Sequence, residues 1–110
     1  MKPKFRWEIW NRAHIARHGV SESEAEYVVA HATPPYPRPG KDGKQFVRGQ
    51  TRAGRFLQVI YTIDSDENFD YESMSLVDIL ELMEGEQPKF YIIHARDLTA
   101  REKSLYRQSR

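Results

Sequence analysis

Residues 33–43 read Thr-Pro-Pro-Tyr-Pro-Arg-Pro-Gly-Lys-Asp-Gly, with four prolines and two glycines. Proline removes a backbone donor and clashes with the preceding helical turn, so this stretch is neither a helix nor a central strand. A stiff loop is predicted here. It parts a first third with helical periodicity from a segment rich in β-formers.

Before the loop, two helices are expected. One runs from about Trp7 to Arg17, with Trp7, Trp10, His14 and Ile15 recurring at spacings of three and four, and Gly19 supplies its left-handed end. The second follows Ser21, whose hydroxyl and Glu24 form a capping-box pattern ahead of an apolar run. The same pattern recurs at Ser75 with Asp78 and at Thr99 with Glu102. After Ser75, Leu76, Ile79, Leu80 and Met83 form an apolar stripe that Gly85 can end. After Thr99 comes a basic last helix anchored by Leu105 and Tyr106.

Beyond the loop, residues 45–51 and 55–62 predict a hairpin turning at Arg52-Ala53-Gly54, with Gly54 at a positive φ. Residues 90–96 predict a third strand, in which Ile92, His94 and Arg96 share one face by alternation. The order predicts a single α+β domain: a small, mostly antiparallel sheet packed with helices on one face. With 110 residues the chain has room for one modest core, into which Trp7 and Trp10 are expected to pack.

The charges are sorted. Residues 64–89 hold nine Asp or Glu and one Lys, a net −8, and the remaining residues carry +9. A basic body of this kind suits an anionic partner such as nucleic acid. The absence of cysteine excludes disulfides, thiol nucleophiles and Cys-based metal sites. No apolar stretch suits a signal peptide or a membrane span, so a cytoplasmic protein without membrane partners is expected.

Lys44, Arg48, Arg52, Arg101 and Tyr106 are the candidate RNA-binding residues, and Tyr61, Phe46 and Tyr36 the candidates for base stacking. RNA cleavage by 2′-OH attack needs a base, a cation on the phosphorane and an acid for the leaving oxygen. Arg55 and Arg96 are candidate clamps, His94 or Glu102 the base or acid, and Tyr106 a further donor. His14 and His18 have a metal-ligand spacing, but no acid lies between them and no third ligand is indicated, although His31 and His94 exist elsewhere. No metal and no cofactor are therefore expected. His18 is read as a helix cap and His14 as a neighbour of Trp10.

Two stretches resemble a known family. Phe5-Arg6-Trp7-Glu8, Asn11 and His14-Ile15-Ala16-Arg17-His18-Gly19-Val20-Ser21, with Glu24-Ala25, are similar to the opening of BrnT-type toxins, roughly F-x-W-D, N-I-x-K-H-G-V-S and E-A. Gly49-Gln50-Thr51 through Gly54-Arg55-Phe56-Leu57, then Val59 to Thr62, Ile92-Ile93-His94-Ala95-Arg96, Arg101-Glu102 and Tyr106 resemble its second half. The resemblance implies a RelE-like ribonuclease fold and a toxin of a type II toxin–antitoxin pair. Such a toxin cleaves RNA without a metal and inhibits translation. It also implies a cognate DNA-binding antitoxin, with operator DNA reached only through that complex. By position, Arg55, Arg96 and Glu102 match family motif residues. The chain differs in having Glu8 for Asp, His14 for Asn, Lys44-Gln45 for an acidic–basic pair, His94 for Ser, and residues 64–89 in place of a short turn. That acidic segment is expected to cover part of the basic body. The alternatives are a non-catalytic relative that binds protein or nucleic acid, and a structural domain that self-associates.

Overall fold

A computed structural model describes residues 4–64, 75–77 and 89–108. The elements are β1 (Lys4–Arg6), α1 (Ile9–Ala16), α2 (Glu22–Ala30), β2 (Arg38–Pro39), β3 (Gln45–Gln50), β4 (Phe56–Asp64), β5 (Lys89–Asp97) and, in our numbering, α3 (Ala100–Gln108). The five strands form one mixed sheet in the order β1-β5-β4-β3-β2. Only β1 and β5 run parallel; every other pair is antiparallel. The α+β class is as expected from the sequence.

Local chemistry sets the helix boundaries. Ser21 Oγ accepts from the Glu24 N–H at 3.2 Å while Glu24 accepts from the Ser21 N–H at 3.0 Å. Thr99 and Glu102 repeat this arrangement at 3.2 and 2.9 Å. The end of α1 is a Schellman motif: Val20 N–H reaches the Ile15 carbonyl at 3.2 Å and Gly19 N–H the Ala16 carbonyl at 3.0 Å, with Gly19 at φ +69. Gly54, at φ +92, turns the β3–β4 hairpin as expected.

Four expectations are corrected. The first helix begins at Ile9, because β1, which the apolar pattern did not reveal, takes the preceding residues into the sheet. The proline loop contributes β2, at the sheet edge where proline's missing N–H costs nothing. Trp10 is 54% exposed, so only Trp7 packs against the core. Leu105 is likewise exposed, leaving Tyr106 as the buried anchor of α3. The predicted acidic helix lies outside the described residues except at residues 75–77, where Leu76 and Val77 are exposed.

Cross-strand partners share a face. Val47, Leu57, Val59 and Ala95 therefore lie together, and all four are fully buried. α2 packs on this face, and Gly49 lets it approach: a Cβ there would stand 3.4 Å from Val28. Arg48, Gln58 and Arg96 line the opposite face. α3 docks there through Glu102, so both faces carry helices, unlike the one-sided cover expected.

β5 breaks the period of two. The register shifts between Ile60 and Tyr61: Ile60 pairs with His94, Tyr61 with Ile92, and Ile93 has no partner across the ladder. Ile92 and Ala95, three apart, are both fully buried as a result. Asn11 of α1, itself fully buried, donates to the Ile92 carbonyl at 2.9 Å and the Arg6 carbonyl at 3.2 Å. It also accepts from the Glu8 N–H at 2.6 Å. One side chain thus joins β1, α1 and the bulge. Asn11→Ala leaves these buried backbone groups unpaired and is expected to cost about 2–3 kcal/mol, read from urea unfolding. A loss under about 0.5 kcal/mol would mean that water replaces the amide.

Candidate functional site

The candidate residues of β5, His94 and Arg96, take different partners. Arg96 points to α3, where its guanidinium grips Glu102 with two bonds of 2.7 and 2.8 Å. Arg48, from β3, reaches the same carboxylate at 3.3 Å and bonds Gln58 at 2.9 Å. Two cations thus share one anion, and all three side chains are more than half buried. The Arg96 hydrogen bonds, aided by the Thr99 N–H, hold the Glu102 carboxyl down at about 2. The same bonds raise Arg96 further above its ordinary range.

Beside this trio is an open groove of about 320 Å³, lined by Gly40, Lys41, Lys44, Gln45, Phe46, Arg48, Gln58 and Ile60. Three of its lining side chains are basic, Phe46 is its one aromatic ring, and Arg48 is shared between groove and trio. Phe46 is the one stacking candidate that lines it. Tyr61 and Tyr36 are 3% and 8% exposed and belong to the core, contrary to their expected role. Burial also pushes the Tyr61 hydroxyl up. Tyr106 is buried as well, near Tyr36 and Phe56.

Arg55 is not in this cluster. Its guanidinium bonds Asp97 at 2.7 and 3.0 Å, the Gly19 carbonyl at 2.7 Å, the His18 carbonyl at 3.3 Å and Glu24 at 3.3 Å. It ties the α1–α2 turn to the end of β5, and its charge is engaged by two carboxylates. Asp97, through its bonds to Arg55, titrates below its ordinary value. Glu24 does too, first because the Ser21 backbone donates to it. Arg52 lies in the hairpin turn over the Tyr27 ring at 5.6 Å, and Arg101 is exposed at the start of α3.

His94 and Arg96 pair with Ile60 and Gln58 on the regular stretch of the ladder, as alternation predicts. The His94 ring packs against His18 and His14, with centroids 4.7 and 5.1 Å away. One ring nitrogen from each of the three lies within 4.8 Å of the others, so the pair on α1 does have a third imidazole beside it. His18, read as a helix cap, presents its ring to this cluster, while His14 stacks on Trp10 at 5.2 Å as expected. Burial, then the neighbouring His18, His14 and Arg96, push His94 below its ordinary value, which favours the neutral ring. Sequence spacing marks the α1 pair; His94 is missed because its meeting with α1 depends on how the helix packs on β5.

No known protein family, curated protein or solved structure matches this chain. No helix among the described residues is long and apolar enough to cross a membrane.

The acid limb of stability tests the Arg–Glu–Arg trio. Glu102 titrates near 2 when folded and near the ordinary ~4.3 when unfolded. Its contribution is full above about pH 5 and is lost as pH falls towards 2. Glu102→Gln should lose stability at pH 7 and show a shallower decline between pH 7 and pH 3, read from urea midpoints. Equal declines in variant and wild type would refute this assignment.

Proposed function

We propose that this chain is a metal-independent endoribonuclease, acting as the toxin of a type II toxin–antitoxin pair of the BrnT kind. The observation that carries the reading is the convergence of Arg48 and Arg96 on Glu102 beside a basic groove. An RNA phosphate is the ligand this arrangement suits. Two guanidiniums held by one carboxylate retain a net positive charge, and Lys44 extends it along the groove. Phe46 offers a ring edge or face to a base.

The chemistry follows from exchange of partners. When a scissile phosphate takes the guanidiniums of Arg48 and Arg96, Glu102 loses the bonds that hold its carboxyl near 2, and it becomes a stronger base. It takes the 2′-OH proton as the 2′-oxygen forms a bond to phosphorus. The P–O5′ bond breaks, the 5′-oxygen takes a proton from water, and a 2′,3′-cyclic phosphate remains. The arginines stabilise the charge gathered on the phosphorane oxygens. Arg55 acts as a brace in this reading, because Asp97 and Glu24 occupy it. A cognate antitoxin covering the same basic face, in the cytoplasm, completes the proposal.

One observation favours a second reading. Glu102 also caps α3 by accepting from the Thr99 N–H, so the trio is equally suited to a structural brace beside a groove that only binds nucleic acid. Cleavage of a labelled RNA in the presence of chelator separates the two. Arg96→Ala and Arg48→Ala should each lower the rate by about 100-fold or more while the fold persists. Induced expression should arrest growth with wild type and not with Arg96→Ala. Uncleaved RNA with salt-dependent binding would establish the binding reading instead. Arg55→Ala, in contrast, is expected to lower the melting temperature while its folded fraction still cleaves. Loss of cleavage at full stability would return Arg55 to the site.

A further inference from the structure

We infer that His14, His18 and His94 form a binding site for a single divalent transition-metal ion of the zinc, cobalt or nickel type. This site shares no residue with the Arg48–Arg96–Glu102 trio.

The geometry carries the argument. Two imidazoles come from one helix at a spacing of four, the interval that stacks side chains on one face. The third comes from β5 at its bulge. The three donor nitrogens lie within 4.8 Å of one another. A tetrahedral ion with metal–nitrogen bonds of about 2.0–2.1 Å needs donors about 3.3 Å apart. Small rotations of three side chains close that difference, and each ring stands at the free end of two rotatable bonds.

A second observation points the same way. The Nδ1 atom of His94 is buried and has no hydrogen-bond partner. It is the only such side-chain nitrogen or oxygen among the described residues. Buried polar atoms in proteins are nearly always partnered, and an unpartnered one asks for an explanation. A cation bound through Nδ1 would supply that partner. Three imidazoles of one kind also repel one another once protonated, whereas as neutral rings around an ion they become complementary.

Imidazole selects the borderline metals over magnesium or calcium, which prefer oxygen donors. Three protein ligands leave one position of a tetrahedral ion for water. His18 is exposed, so that position faces solvent. The ion would also fasten the end of α1 to β5. Binding to the folded state alone then raises thermal stability in proportion to metal concentration.

The test is titration of the untagged chain with Co²⁺, then Zn²⁺, following visible absorption, tryptophan fluorescence and melting temperature. The expected result is one equivalent of Co²⁺ with tetrahedral bands, displaced by Zn²⁺, and quenching through Trp10, which stacks on His14. Melting temperature should rise with Zn²⁺. His94→Ala and His18→Ala should each weaken binding by more than the roughly 10–100-fold that loss of an outer hydrogen-bond partner costs. His18→Ala alters an exposed ring and keeps the fold, so it reads out even if His94→Ala does not fold. His31→Ala serves as control, because that ring bonds its own helix at the Tyr27 carbonyl and should leave affinity unchanged. The inference is overturned by no saturable binding in wild type. It is also overturned if His94→Ala binds as tightly as wild type, which would leave an ordinary helix histidine pair, or if His18→Ala binds unchanged.

Discussion

An antiparallel ladder has a period of two, and this one takes in an extra residue of β5, Ile93, where the register shifts between Ile60 and Tyr61. On one side of the shift, Ile92 is buried and its carbonyl is free for Asn11. On the other, Ala95 keeps its place under the helices while Arg96 faces α3. The residue left without a partner is Ile93, and His94, opposite Ile60, resumes the regular pairing and meets α1. His94 and Arg96 thus stand two apart on the regular stretch but take different partners, imidazoles for one and the Glu102 carboxylate for the other.

The charged residues show a division of labour that charge counts do not reveal. Arg55 is raised above its ordinary range chiefly by its bonds to Asp97, and it also takes two carbonyls from the Schellman turn. Those carbonyls are among the groups that a helix end leaves unpaired. Its role is to close the α1–α2 turn onto the sheet. Arg48 and Arg96, in contrast, converge from two strands on a single acid beside open space. Residues of one type are therefore committed to architecture in one case and remain beside a groove in the other.

Much of the fold was legible because it is locally specified. The boxes at Ser21 and Thr99, the turns at Gly19 and Gly54, and the β-rich run 56–62 depend on neighbours within a few residues. β1 was not legible: three residues gain their structure from a parallel partner far along the chain. Nor was the burial of Tyr36 and Tyr61, since an aromatic ring reads alike in a core and on a binding face. Within the site, the candidates Arg48, Arg96 and Glu102 were visible as residue types, but their meeting depends on a register that no short-range pattern encodes. The histidine cluster depends on the packing of α1 against β5, which no short-range pattern encodes.

Asp64 and Lys89 are cross-strand partners. The chain therefore leaves the sheet and re-enters it one strand spacing away, about 5 Å. For the rest of the sheet, β4 and β5 are antiparallel neighbours whose joined ends lie side by side. The length of a connection between such ends costs little: each doubling adds only about 0.6 kcal/mol of closure entropy. The register of β4 against β5 is therefore set by the ladder and hardly at all by how many residues join the two strands.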